Sequence, residues 1–133
     1  MTFLYYSNNL PVFFFFHRIK TVLFLSFYKM AQTVTQDDFK AVVVDSGDTV
    51  LVDFFAEWCG PCQAMLPTVE ELAGELGEGM KIVKVDIDES PELASEYGVM
   101  SIPTFKVFKN GEVVNEAMGG GKSKEDLLAL MKG

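Results

Sequence analysis

A chain of 133 residues is long enough to bury a core of its own and fits a single domain. Its 11 basic and 19 acidic residues leave a formal charge of −8, which excludes the basic face that nucleic-acid binding requires. The two cysteines, Cys59 and Cys62, enclose too short a loop for a stabilising framework, and the one histidine, His17, lies far upstream; a structural zinc site needs four ligands, so neither metal nor other cofactor is expected.

Residues 1–29 differ from everything after them. They hold ten of the seventeen aromatic residues, including Phe13-Phe14-Phe15-Phe16, and contain no Gly, Ala, Asp or Glu. Arg18, Lys20 and Lys29 all fall here, so residues 30–133 carry eight bases against nineteen acids, a formal charge of −11. His17-Arg18-Ile19-Lys20 splits the apolar residues into two runs well short of the ~20 that a membrane span needs. The late charges and Tyr28-Lys29 do not suit a cleavable signal peptide. A bias toward Phe, Tyr, Asn, Lys, Ile and Leu is what AT-rich DNA yields when translated. The expectation is an extension outside the fold, with the domain over 30–133 and its start at Met30; a leader or membrane anchor is the alternative.

Within the domain, Gln32 to Val34 reads as a short edge strand. Thr35-Gln36-Asp37-Asp38 resembles an N-cap followed by first-turn acids, opening a helix to about Val44 that Ser46-Gly47-Asp48 ends. Val50 to Ala56 is a near-continuous apolar run, the pattern of a central strand covered on both faces. A helix from about Pro61 to Leu76 follows, with Met65, Leu66, Val69, Leu72, Ala73 and Leu76 at helical spacing and Pro67 expected to kink it. Lys81 to Asp86 is the next strand, parallel to the first because a helix crosses between them.

Ser90-Pro91-Glu92 reads as N-cap, N1 proline and acid for a short helix ending at Gly98. Thr104 to Phe108 alternates as a strand, Asn110-Gly111 is a hairpin signal, and Glu112 to Met118 returns antiparallel. After Gly119-Gly120-Gly121, Ser123 caps a final amphipathic helix bearing Leu127, Leu128, Leu130 and Met131. The order βαβαβαββα implies an α/β fold: one mixed sheet, parallel in its core and antiparallel in its C-terminal hairpin, with helices on both faces.

The chemistry concentrates in Trp58-Cys59-Gly60-Pro61-Cys62, which follows the strongest strand and opens a helix. There the first thiol meets helix-terminal N–H groups that favour an anion, and the second lies three residues on, close enough to close a small disulfide ring. Asp53 is the other residue to weigh. An Asp in a strand normally faces water, but its flanking apolar residues leave no solvent face, and a buried carboxyl should have a raised pKa. Asp86-Ile87-Asp88-Glu89 reads as a solvated turn rather than a calcium loop, since the spacing and central Gly are missing.

Over residues 31–133 the sequence resembles the thioredoxin family. The resemblance rests on Val52 to Cys62, Pro67, Lys84-Val85-Asp86, Ile102-Pro103-Thr104, Lys109-Asn110-Gly111 and Gly119, an ordered set far more specific than an isolated Cys-x-x-Cys. It implies the thioredoxin fold and a protein-disulfide reductase, with Cys59 as nucleophile and Cys62 as the resolving thiol. It assigns Asp53 to proton transfer with Cys62, places Lys84 nearby as its electrostatic partner, and makes the Ile102-Pro103 peptide cis. Trp58, Gly60, Pro61, Ile102, Pro103 and Gly119 would form a flat apolar docking patch.

In oxidising relatives a His before the second Cys stabilises the thiolate. Pro61 lacks that stabilisation, which argues for reduction of partners. Phe55 stands where many members have a second Trp, and Met100-Ser101 and Gly119-Gly120-Gly121 depart from commoner residues around the patch. The partners implied are disulfide-containing proteins and a thioredoxin reductase. A cytoplasmic monomer with no nucleic-acid or membrane partner is expected. Two other readings are a membrane-tethered extracytoplasmic oxidoreductase anchored by residues 1–29, and a redox-independent binding subunit that uses the patch as an interface.

Overall fold

The computed structural model describes residues 30–133, so the expectations for residues 1–29 lie outside the described residues. Five strands form one sheet: β1 (Gln32–Thr33), β2 (Thr49–Phe55), β3 (Met80–Asp86), β4 (Thr104–Lys109) and β5 (Glu112–Met118), in the spatial order β1-β3-β2-β4-β5. β3 pairs parallel with both β1 and β2, whereas β2–β4 and β4–β5 are antiparallel. The helices are α1 (Gln36–Phe39), α2 (Gly60–Glu75), α3 (Pro91–Glu96) and α4 (Lys124–Lys132). The mixed sheet and the element order are those expected from the pattern of apolar runs and turns.

Side chains alternate across a strand, so β2 serves two cores at once. Leu51 packs with Ile82, Phe105 and Val107 under α2 and α4, against Met65, Val69, Leu72, Leu127 and Met131. Val50, Val52 and Phe54 face the other way and pack with Val83, Val85 and Phe108 against Phe39, Val43 and Leu93 from the α1 and α3 side. Phe54, Phe105 and Phe108 are fully buried. Each such side chain contributes on the order of 2–3 kcal/mol of hydrophobic stabilisation. Asp53 and Phe55 continue the α2-facing series of Leu51, which carries a carboxylate into the interior beneath that helix.

Three local expectations are corrected. The helix expected to reach Val44 is α-helical only to Phe39 and then widens to a π-turn over Lys40–Val44. The Asp45 N–H reaches back five residues to the Lys40 carbonyl at 2.8 Å, and the two side chains close the same loop with an ion pair of 2.7 Å. Thr35 occupies the N-cap position but its hydroxyl donates to Asp38 at 3.3 Å and caps no backbone N–H. The cap comes from afar: the buried Ser90 hydroxyl accepts from the Gln36 N–H at 3.2 Å, so it serves α1 rather than the helix it precedes.

Elsewhere the turn chemistry matches. Asn110 and Gly111 both take positive φ, +52° and +79°, as a two-residue hairpin with the strand's own twist demands. Ser123 and Asp126 form a reciprocal capping box on α4. α2 runs on through Pro67.

Candidate active site

Three segments converge at the C-terminal end of β2: the turn into α2, the loop before β4, and the turn after β5. Cys59 is the N-cap residue of α2 with extended backbone, and its sulfur accepts the Cys62 N–H at 3.2 Å. Cys59 and Cys62 are joined as a disulfide with Cα atoms 5.2 Å apart. Pro61 at the start of α2 supplies no donor, which leaves the Cys62 N–H to serve the Cys59 sulfur. Both cysteines are buried, packed with Ala56 and the partly buried Phe55, Ile87 and Ile102.

The loop before β4 closes one side. The Ile102–Pro103 peptide is cis, and the Ile102 carbonyl oxygen lies 3.8 Å from the Cys59 sulfur. The Pro103 carbonyl accepts the Gly119 N–H at 2.8 Å, which ties this loop to the turn after β5. Gly119 holds φ +85° and Gly120 lies against Pro61, where an added Cβ would stand 3.3 Å from the proline ring. Space above Gly60 is open.

Around this seam the surface is apolar. Trp58 is 70% exposed, with Met100 and Met118 also exposed. The Trp58 indole N–H donates to Asp88 at 2.7 Å, so the ring is held although exposed. The Asp86-Ile87-Asp88-Glu89 stretch is therefore more than a solvated turn. Asp86 is buried and accepts the Asp88 N–H at 2.9 Å, and Asp88 anchors the tryptophan.

Behind the sulfurs, Asp53 is 3% exposed, and its Oδ1 has no hydrogen-bond partner among the described residues. Loss of hydration raises its pKa from 3.8 to about 7, with the Lys84 charge pulling the other way. Asp53 and Cys62 line one cavity of about 430 Å³ together with Thr33, Phe55, Ala56, Glu57, Gln63, Leu66 and Lys84. Lys84 stands opposite Asp53 in the β2–β3 ladder, but its ammonium pairs with Glu70 on α2 at 2.9 Å.

The structure thus brings together Cys59, Cys62, Asp53 and Lys84 on the inner side, and Trp58, Gly60, Pro61, Ile102, Pro103 and Gly119 on the outer side. Sequence reasoning passed over Glu70, and it read Gly120 only as a departure beside the patch and Asp88 only as part of a solvated turn. Helical spacing carried a signal for Glu70, since Gln63, Leu66 and Glu70 follow one face of α2. Nothing local indicated which strand lysine lay beneath that face.

A mixed sheet presenting two vicinal cysteines at a helix N-terminus defines a thiol–disulfide oxidoreductase that works by dithiol–disulfide exchange. The thioredoxin family model matches residues 30–133, and the chain belongs to the thioredoxin family. It is 49% identical over 90 residues to the thioredoxin of Rickettsia felis, covering 68% of this chain and 86% of that one. It is 54% identical over 86 residues to the thioredoxin of Bacillus subtilis, covering 65% and 82%. It is also similar to the chloroplastic M-type thioredoxin of Chlamydomonas reinhardtii, with 52% identity over 89 residues that span 67% of this chain and 64% of the relative. Disulfide-containing substrates and a reductase are the partners that membership implies. No helix among the described residues is long and apolar enough to cross a membrane.

Proposed function

We propose that the chain reduces disulfides in partner proteins, with Cys59 as attacking and Cys62 as resolving thiol. The Cys59 thiolate, favoured by the Cys62 N–H and the start of α2, attacks one sulfur of a partner disulfide. A Cys59–partner bond forms, the partner S–S bond breaks, and the second partner sulfur leaves as a thiolate. Cys62 then gives its proton to Asp53 and attacks the Cys59 sulfur. The Cys59–Cys62 disulfide forms and the first partner sulfur departs with the bonding pair. Two electrons have passed to the partner, and a thioredoxin reductase returns the carrier to its dithiol.

The observation that carries this reading is the Asp53 carboxyl: buried, its Oδ1 without a hydrogen-bond partner among the described residues, and opening onto the same cavity as Cys62. A carboxyl titrating near 7 can both take and return a proton in the working range. Lys84 tempers its burial. Trp58, Gly60, Pro61, Ile102, Pro103 and Gly119 form the face on which the partner chain settles, with room above Gly60 for its backbone. Pro61 keeps the couple reducing, which suits a monomer of the cytoplasm.

Trapping tests the assignment. A Cys62→Ser variant should accumulate mixed disulfides at Cys59 with partner proteins, whereas Cys59→Ser should accumulate none. The reverse pattern overturns the roles. Of the alternatives, the tethered form rests on residues 1–29, outside the described residues. A redox-independent subunit would leave the sulfur pair and the carboxyl behind it without use; it predicts that the double Cys→Ser variant keeps its biological role.

A further inference from the structure

Glu70 has both carboxylate oxygens engaged. Oε1 accepts from Lys84 Nζ at 2.9 Å, and Oε2 accepts the Ala31 backbone N–H at 3.1 Å where the chain runs into β1. The pair is sheltered, with the Lys84 side chain 16% and the Glu70 side chain 24% exposed. Fixed at one oxygen by the backbone of Ala31, Glu70 holds the ammonium with the other. Asp53, directly opposite Lys84 in the ladder, receives no hydrogen bond at its buried Oδ1 from the described residues.

We propose that Glu70 is a positioning residue for the exchange reaction: by holding the Lys84 ammonium it governs how much of that charge reaches Asp53. Released from Glu70, the lysine would serve Asp53 as an unshared counter-ion and favour its ionised form. The carboxyl would then be a poorer proton carrier at neutral pH.

Among the described residues, the surroundings leave little else to play this part. β3 presents Lys84 and, one pleat further, Asp86 toward this side; α2 presents Cys62 and Glu70; Glu57 follows β2. β1 and β4 contribute Thr33 and Phe105 at the neighbouring register positions, and neither titrates. Lys84 is the one cation in the set, and Glu70 is its hydrogen-bonded partner. Burial is the larger influence on Asp53 and the Lys84 charge the opposing one. A group that controls the position of Lys84 therefore controls the opposing influence.

The inference rests on the proposed function only for its consequence in exchange; the titration of Asp53 can be read without turnover. In the full chain held as the disulfide, where neither sulfur titrates, the Asp53 carboxyl is followed by carbon NMR against pH. Glu70→Gln keeps an acceptor for Ala31 and should lower the Asp53 midpoint by about one pH unit. Glu70→Asp, charged but too short to span both partners, should lower it by a smaller step. Glu71→Gln, whose carboxylate pairs with Lys124 at 2.8 Å, should leave it in place. In a Lys84→Met background the Glu70→Gln shift should fall to less than half.

An unmoved midpoint in Glu70→Gln, or an equal shift with and without Lys84, overturns the proposal. Resolution of a mixed disulfide, measured against pH in the same variants, reads the role of Asp53 separately. A moved midpoint with an unmoved resolution profile rejects Asp53 as the proton acceptor and leaves the control by Glu70 standing.

Discussion

Asp53 and Lys84 face each other directly in the parallel β2–β3 ladder, yet the Lys84 ammonium bonds Glu70 at 2.9 Å. A carboxyl is therefore buried beside a cation that is already committed to another acid. Burial raises the Asp53 pKa to about 7 although Lys84, which lines the same cavity, pulls it down. The lysine tempers the burial without cancelling it.

The Asp53 carboxyl makes stability depend on pH in a defined window. Its folded value of about 7 against 3.8 means the folded state binds more protons than the unfolded one between those values. Stability then falls as pH rises through that window and is flat above it. Asp53→Asn removes the penalty. It should stabilise the protein by about 2–4 kcal/mol at pH 8 and by little at pH 4. Denaturant melts at the two pH values check this; an equal effect at both would sink the assignment.

The same variant should slow exchange. If Asp53 accepts the Cys62 proton, Asp53→Asn should resolve a mixed disulfide about tenfold to a hundredfold more slowly at pH 7. The deficit should shrink at higher pH, where Cys62 ionises unaided. Stopped-flow measurement of thiol release reports the rate directly, and a deficit constant across pH would count against proton transfer.

We propose that Pro61 sets the direction of electron flow. Pro61→His would place a hydrogen-bonding, cationic side chain beside the Cys59 thiolate and stabilise the dithiol state. The couple should become more oxidising by at least about 30 mV, roughly tenfold in the exchange equilibrium. Titration against a glutathione buffer measures it; an unchanged midpoint would show that the residues between the cysteines do not set the poise.

Trp58 is exposed but tethered to Asp88 at 2.7 Å, which pre-orders the ring for the partner contact proposed for it. Trp58→Ala should lower kcat/KM for a protein disulfide about tenfold. A small-molecule disulfide that does not span the patch should be reduced at nearly the parent rate. Equal losses on both substrates would place Trp58 in the chemistry rather than in docking.

Gly111 tests the hairpin. It holds φ +79°, and an added Cβ would stand 3.0 Å from the Val44 carbonyl oxygen at the end of the π-turn. Gly111→Ala should cost about 1–2 kcal/mol from the left-handed backbone alone, with the contact adding to it. A variant that melts with the parent would mean that the hairpin or the π-turn yields at no cost.

Much of this molecule was legible in one dimension. The apolar run of β2, the Asn110-Gly111 turn and the Ser123 capping box are local in origin, because backbone conformation and side-chain alternation follow from near neighbours. The Trp58 to Cys62 stretch likewise announced its chemistry, since its spacing alone brings two sulfurs to one helix turn. Burial of Asp53 could be read from the absence of a polar alternation around it.

Tertiary structure decided the rest. Ser90 caps α1 across 54 residues, and Asp88 steadies Trp58 across 30. Glu70, fourteen residues before Lys84 in the chain, takes the lysine that the ladder set against Asp53. Hydrogen bonds and ion pairs act over a few ångströms whatever the distance along the chain, so their partners are chosen only when the sheet and helices close. The sequence by itself determined the thiol pair and the strand that buries a carboxyl behind it; packing decided which acid holds Lys84, because three elements must meet before that choice exists.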